Sequence, residues 1–343
     1  MNEVKDRKDI LILTDYRGLY RQGINRNLGI DLDKVKKIFE MNGYTVCINN
    51  YDQIVNEVGI QNVSDKIIFY TSSQSEVYRS YIDDIIYELG KKNILVPKYD
   101  MLKCHENKNY EEIYLKEKEI ASLRSYVFAA YKDVLEYADK ISYPAIVKAS
   151  TGSGSISVYK VNNEKQLRSR VKQNGRNKEY IEYYLKLLYK TIKRTVTKEY
   201  KQDEKYLKKF IVQQFVPGLT EDWKVLAFGK KFYALNRKVR NNDFRASGSG
   251  KFSYIEPPKP ILDHAYEIYK KMDVPFLSMD LCIDKENEVH LIEFQGLHFG
   301  PYTLINSKEY YEYDNGVWTK VEAVSDLSEE YAKSVVLFLK NME

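Results

Sequence analysis

The first run of apolar residues is DILILT, Asp9–Thr14, which stops at the polar stretch DYRGLYRQG. A short, continuous apolar run of this kind reads as the buried first strand of a parallel sheet. Leu32, Val35, Ile38 and Phe39 then recur at helical spacing, with Asn42-Gly43 placed to close the helix. Strand-like runs follow at Tyr44–Ile48, Lys66–Tyr70 and Asn93–Val96, and a helical pattern near Tyr78–Leu89 separates the last two. Strand and helix alternate as far as Pro97, which predicts a small doubly wound α/β domain over residues 1–101.

The texture then changes. A helix is predicted near Tyr110–Lys118, followed by strand-like Ala145–Lys148, a Gly/Ser loop and strand-like Ser157–Val161. Tyr180, Tyr183, Tyr184, Leu187, Leu188, Thr191 and Ile192 fall at helical spacing and predict one long amphipathic helix, its Tyr and Leu stripe packed into a core. Beyond it the chain reads mostly as strands to Gln295, with a final helix near Ser328–Leu339.

One hairpin poses a question of charge. In MDLCIDKENEVHLIEFQG, Met279–Gly296, the turn falls at Lys285-Glu286-Asn287-Glu288. With Asp284 opposite Val289, antiparallel register sets Asp280 opposite Glu293 and Ser278 opposite Gln295. Like charges directly opposed on a sheet are destabilising. Asp280, Glu293 and Gln295 would form a hard, oxygen-only set that suits Mg²⁺, and a cation there would remove the repulsion. The plainer reading is a pair of solvated carboxylates at a sheet edge, salt-bridged to Lys or Arg.

Two further segments carry candidate chemistry. In YPAIVKASTGSGSISVYKV, Tyr143–Val161, Lys148 ends an apolar strand before the Gly/Ser loop, an arrangement that serves phosphate binding or is an ordinary hairpin turn. No GK[ST] ends this loop, and Ser247–Phe252 (SGSGKF) lacks both the opening Gly and the closing Ser/Thr, so neither is a Walker P-loop. In Phe210–Lys251 an apolar strand stops at Pro217-Gly218, and a hairpin turns at Gly229-Lys230. Arg237, Lys238, Arg240 and Arg245 then gather around a polar loop. Cations at strand ends suit a γ-phosphate or a carboxylate, or they form a solvated basic loop.

Composition narrows the setting. The chain has 343 residues, 43% hydrophobic and 30% charged, ordinary values for a globular protein. Its three cysteines, Cys47, Cys104 and Cys282, form no CxxC, which argues against a disulfide framework or thiolate metal site and for a reducing cytoplasm. MNEVKDRKD lacks the apolar core of a signal peptide, and no apolar run is long enough to span a bilayer. The net charge is +5, yet Lys165–Lys209 holds 15 Lys/Arg against 5 Asp/Glu, so the basicity is local.

The order of the segments is more specific than any one of them. Lys on a strand, Gly/Ser loop, strand ending in QQFVPG, hairpin, Arg cluster and then D…E-x-Q resembles the ATP-grasp superfamily, most closely its RimK-like glutamate ligases. Asp222 and Lys224 entering the hairpin, Arg237 at its far end and Asp243-Phe244-Arg245 add to the likeness, which covers roughly residues 102–300.

The resemblance implies an α/β (α+β) ATP-grasp fold behind a Rossmann-like pre-ATP-grasp domain. Residues 102–343 would form the ATP-grasp domain. Its lid would lie at about 125–212 with a basic helical segment 165–209, and its metal- and substrate-binding part at about 213–343. Lys148 and Lys108 would contact the phosphates of ATP, Ser153, Gly154 and Ser155 would cover them, the backbone of Gln213, Gln214, Phe215 and Val216 would read adenine, and Glu221 or Asp222 the ribose. Arg237 and Arg245 would stabilise the transferring phosphoryl group, and Asp280, Glu293 and Gln295 would hold two Mg²⁺. The family's E-x-N is E-F-Q here, Gln214 replaces an acidic hinge residue, and Ala-Ser-Gly-Ser-Gly after Arg245 departs from the glutamate ligases.

The activity implied is ATP-dependent ligation of a small-molecule carboxylate to an amine through an acyl phosphate, with amino-acid, peptide or sugar substrates. It needs no Ser-His-Asp or Cys-His constellation, and only His298, in GLHFGP, stands near the site, as a substrate contact or a structural residue. The same fold could phosphorylate a hydroxyl instead. A third reading is a non-catalytic nucleotide- or polyanion-binding protein working through its basic helix; nucleic acid is not expected as a partner. A homodimer is compatible with the sequence.

Overall fold

The computed structural model describes residues 8–20, 29–152, 157–174, 178–193, 206–241 and 243–342. The chain divides into two compact units, one of residues 1–105, 114–122 and 218–343 and the other of residues 106–113 and 123–217.

The first unit begins with β1 (Asp9–Thr14), α1 (Leu32–Met41), β2 (Thr45–Asn50), the short turn α2 (Tyr51–Gln53), β3 (Ile67–Tyr70), α3 (Glu76–Gly90), β4 (Ile94–Val96) and α4 (Tyr99–Cys104). The strands form a parallel sheet in the order β2-β1-β3-β4. Strand β1 is a continuous apolar run because it is buried on both faces. Ile10 and Ile12 pack with Val35 and Phe39 of α1, while Leu11 and Leu13 pack with Ile82, Ile85, Ile86 and Leu89 of α3. Asp31 caps α1 by accepting a hydrogen bond from the Lys34 amide at 3.1 Å, and Asn42 closes it, as the sequence predicts.

Helix α5 (Lys108–Glu117) starts in the second unit, which continues with β5 (Ser125–Ala130), α6 (Tyr131–Tyr137), β6 (Ala145–Ala149), β7 (Val158–Val161), α7 (Glu164–Asn174), α8 (Lys178–Ile192) and β8 (Leu207–Gln214). Its antiparallel sheet runs β5-β8-β6-β7. Phe128, Val147, Phe210 and Val212 of the sheet bury against Val134 of α6 and Leu167 and Val171 of α7. Two corrections arise here. The basic segment 165–209 is not helical throughout, for its last residues, Leu207–Lys209, belong to β8. Nor are the described residues of the Tyr and Leu stripe of α8 core: Leu187 is half-buried, and Leu188 is 62% and Ile192 75% exposed.

The first unit resumes with β9 (Glu221–Phe228), β10 (Lys231–Lys238), β11 (Phe252–Ser253), α9 (Lys259–Met272), β12 (Phe276–Ile283), β13 (Val289–Gln295), the short turn α10 (Tyr302–Ile305), β14 (Glu309–Asp314), β15 (Val317–Glu322) and α11 (Leu327–Met342). The sheet order is β13-β12-β9-β10-β14-β15, with β11 beside β10. The region read as mostly strands thus contains α9, whose Ile261, Leu262, Ala265, Ile268 and Met272 are buried at helical spacing. Ile10, Ile12 and Phe39 share one core with Phe228, Tyr233 and Phe276 of the large sheet and with Tyr331, Val335 and Leu339 of α11.

Candidate active site

Strands β9 and β10 form the hairpin turning at Gly229-Lys230, and their alternation sends two residue sets to opposite faces. On one face Leu226, Phe228 and Tyr233 enter the core. Further along the same face come Lys224 and Asp222, with Arg237 opposite Asp222. Strand β12 lies on the other side of β9 and sets Asp280 opposite Lys224 and Ser278 opposite Leu226. Strand β13 then sets Glu293 opposite Asp280 and Gln295 opposite Ser278, the register expected from the sequence. The turn end differs. Ile283, not Asp284, pairs with Val289, because a bulge between Asp280 and Leu281 shifts the register by one residue.

The charges on this face are joined by hydrogen bonds. Arg237, only 3% exposed, donates from Nε and Nη2 to Asp222 at 2.6 and 2.9 Å, and its Nη2 lies 2.7 Å from Oδ2 of Asp280. Lys224 is buried too, its Nζ donating to Ser278 Oγ at 2.6 Å and lying 3.8 Å from Asp280 Oδ1. Burial pulls the Lys224 ammonium below the usual lysine range, against the opposing influence of Asp280 and Glu293. Burial likewise pushes the Asp222 carboxyl up, to about 6, in spite of Arg237. Although burial works against it, Asp280 and Asp222 hold the Arg237 guanidinium firmly protonated. A network of this kind persists because breaking it would leave a buried charge uncompensated. Lys224 is the residue to which the sequence reading assigned no role; its spacing of two from Asp222, which puts both on one strand face, was the available signal.

The loop after β13 closes over this face. Gly300, at φ 61°, brings its backbone so close to Lys224 that a Cβ there would lie 3.8 Å from Nζ. Phe252 stacks on Tyr302 with ring centroids 5.7 Å apart. Arg245 sits in the loop after β10, where its Nε and Nη2 grip Asp243 at 2.6–3.0 Å. Of the residues expected to act on phosphate, Arg237 is therefore in the acidic network, whereas Arg245 is bound to its own loop. Asp222, expected at a ribose, is 5% exposed with both oxygens accepting from Arg237, and Glu221 beside it is half-buried.

The acidic pair is not an isolated repulsive contact, since Arg237 and Lys224 already offset Asp280. Among the described residues no group of three or more His, Cys, Asp or Glu could hold a metal ion. Asp280, Glu293 and the Gln295 amide nonetheless fit Mg²⁺, which keeps waters and substrate phosphates as its other ligands and needs only one or two carboxylates. Gln295 Nε2 donates to Glu293 Oε1 at 3.4 Å, so the amide already lies beside the carboxylate.

In the second unit Lys148 points from β6, 6% exposed, and Lys108 opens α5 at 8%. The Lys108 amide donates to the Ser150 carbonyl at 3.0 Å and its Nζ to the Gly152 carbonyl at 3.2 Å, tying the helix start to the beginning of the Gly/Ser loop. Ser153, Gly154 and Ser155 lie outside the described residues. Gln213 is buried and donates to Glu112 at 3.2 Å; Gln214 is exposed, with its amide donating to the Arg124 carbonyl at 2.8 Å. Phe215 lies beneath Lys160 Nζ at 4.0 Å, and Val216 is buried. No helix among the described residues is long and apolar enough to cross a membrane.

No protein-family model matches this sequence, and no curated protein does. Solved structures do match over nearly the whole chain. A D-cycloserine synthetase superposes with a TM-score of 0.57 at 10% identity, over 98% of this chain and 100% of that one. N5-carboxyaminoimidazole synthetase from Staphylococcus aureus gives 0.52 at 12% identity, over 99% and 79%. A RiPP-associated ATP-grasp ligase from Chryseobacterium gregarium, solved with ADP and a leader and core peptide, gives 0.52 at 14%, over 98% and 97%. At these identities the likeness is one of architecture, and it establishes that this chain has the ATP-grasp fold.

Proposed function

We propose that the protein is an ATP-dependent carboxylate–amine ligase. The observation that carries the reading is the cross-strand set Asp280, Glu293, Lys224 and Arg237 on one sheet face, in a chain with the ATP-grasp fold. Oxygen donors for a hard cation and buried cations for phosphate stand side by side there, as phosphoryl transfer requires. The structural likeness to proteins named as synthetases and ligases supports the same reaction class.

In this reading a carboxylate oxygen of the substrate attacks the γ-phosphorus of ATP, giving an acyl phosphate and ADP. An amine nitrogen then attacks the acyl carbon, phosphate leaves and the amine loses a proton. Mg²⁺ held by Asp280, Glu293 and Gln295, as two ions, would neutralise the charge of the phosphates. Arg237 orients Asp280 and steadies the phosphoryl group's surroundings. Lys148 and Lys108 serve the nucleotide phosphates, the Gln213–Val216 backbone serves adenine, and Glu221 serves the ribose. The substrates are a small carboxylic acid and an amine, drawn from amino acids, peptides or sugars.

The test is ADP release from MgATP across panels of amino acids, peptides and amino- or carboxy-sugars, repeated with hydroxylamine. Hydroxamate formation supports the ligase. A phosphate ester without hydroxamate would make the protein a kinase acting on a hydroxyl. Absence of ADP release throughout, with nucleotide still bound, would leave a binding protein.

A further inference from the structure

The loop after β13 carries a histidine to the carboxyl end of the parallel sheet. That sheet runs β2-β1-β3-β4 with α1 on one face and α3 on the other, so the chain leaves β1 and β3 in opposite directions. In an open α/β sheet such a reversal opens a crevice at the carboxyl ends of the two strands, where ligands bind. Here those ends are polar yet buried, with Thr14 and Asp15 at β1 and Thr71 and Ser72 at β3. His298, also buried, and His105 meet at the end of β3. The Ser72 amide donates to His298 Nε2 at 3.4 Å, and Thr71 Oγ1 lies 3.3 Å from the same nitrogen. His105 Nδ1 lies 2.9 Å from Ser72 Oγ, and the two imidazole rings are 4.4 Å apart between centroids.

The neighbouring residues hold these rings in place. Leu297 and Phe299, on either side of His298, enter the two cores that flank the parallel sheet. Gly296 passes so close to α4 that a Cβ would clash with Met101 Sδ, which sets the loop against the helix that His105 caps. A backbone amide can only donate, so His298 Nε2 is the accepting nitrogen and a neutral ring carries its proton on Nδ1. The ring is therefore not arranged as a base, and an ammonium ligand would meet a donor with a donor. An oxygen anion fits. Neutral His105 likewise has one N–H, and either ring gains a second when it takes up a proton beside an anion. His298 stands three residues beyond Gln295, a candidate metal ligand, so their Cα atoms are at most about 11 Å apart. Gly300, two residues further on, already lies against Lys224.

We propose that His105 and His298, with Thr71 and Ser72, hold a second oxyanion of the carboxylic-acid substrate, a carboxylate or a phosphate within about 11 Å of the carboxyl group that reacts. The proposal rests on the ligase reading for the reacting end and narrows its substrate: the acid carries two anionic groups, and a simple monoacid is a poor substrate.

The chain has only four histidines, so the imidazole NMR signals of histidine-labelled protein can be followed one by one, each assigned by substitution with Gln. The probes are succinate, glutarate and phosphonoacetate, with propionate and butyrate as monoacid controls, added to the full chain in the presence of MgADP. The dicarboxylates or the phosphonate should shift the His105 and His298 signals at millimolar concentration and leave His264 and His290 in place, and the monoacids should shift none. Which probe moves the pair tells carboxylate from phosphate. No shift of the pair by any probe, an equal shift with the monoacids, or an equal shift of all four histidines overturns the proposal. In turnover, His298→Gln should raise KM about tenfold or more for the acid that ADP release identifies, with kcat, MgATP affinity and thermal midpoint near wild type. A lower thermal midpoint with KM unchanged overturns the proposal, because the ring then only braces its loop. The two readings fail separately. Probe shifts without ADP release from any acid would remove the ligase and leave an oxyanion site, whereas efficient turnover of monoacids would remove the subsite and leave the ligase.

Discussion

Arg237 and Asp222 face each other across β10 and β9, joined by two hydrogen bonds of 2.6 and 2.9 Å with both side chains buried. The guanidinium's planar fork matches the carboxylate, and its remaining edge reaches Asp280 at 2.7 Å. Asp222 thus fixes the group that in turn fixes a candidate metal ligand.

Asp222→Ala should leave Arg237 partly uncompensated in a buried place and cost about 3–5 kcal/mol of stability. Urea unfolding of the purified variant measures this directly. A wild-type unfolding curve would show that Asp222 does not brace the network. If Asp222 instead serves the ribose, the variant keeps its stability and loses nucleotide affinity.

MgATP should stabilise the protein. At a concentration of 100 times Kd, ligand linkage adds about 2.7 kcal/mol to the unfolding free energy. Lys148→Met keeps an apolar stem on β6 and removes the ammonium, so it should weaken MgATP binding by about tenfold or more, roughly 1.4 kcal/mol. Calorimetric titration decides the point, and an unchanged Kd would remove Lys148 from the nucleotide site.

Glu293→Gln keeps the shape of the side chain and removes one charge from the cross-strand pair with Asp280. Turnover should be abolished while nucleotide binding partly survives, because in the proposed reaction Glu293 would help hold the metal whereas the Gln213–Val216 backbone would hold adenine. Turnover at the wild-type rate would return the pair to the status of ordinary strand charges.

Arg245 offers a sharper division. It is clamped to Asp243, so it either braces its loop or turns towards substrate during turnover. The ligase reading expects Arg245→Lys to cut turnover by about 100-fold or more, roughly 2.7 kcal/mol, because Lys cannot reproduce a bidentate contact. ATP affinity should change only a few-fold. A purely bracing role predicts a lower thermal midpoint with unchanged turnover, so measuring turnover, nucleotide affinity and melting on the one variant separates the two.

Local periodicity made much of this protein legible before its fold was known. β1 appears at the residues predicted, Asp9–Thr14, because a strand buried on both faces must be apolar throughout. The opposition of Asp280 to Glu293 appears as expected, but by way of the bulge, since an unbroken ladder from Ile283 opposite Val289 would set Asp280 opposite Ile292. The single-residue bulge was not legible, since nothing in the alternation marks where a ladder slips. Helix α9 was, in its buried spacing of Ile261, Ala265, Ile268 and Met272, but it lay among strands and was passed over.

What only the tertiary structure decided concerns partners distant in sequence. Apolar periodicity says that a helix has an apolar face and not what covers it, so the α8 stripe looked like core until its exposure was known. Likewise, a row of Lys, Arg and Asp along a chain does not say which charges neutralise which. Buried Asp222, Lys224 and Arg237 joined half-buried Asp280 in one network only when β9 paired with β10 on one side and β12 on the other. Burial then made each charge depend on its neighbour, since a buried ion has to be met by protein groups where water can no longer reach it.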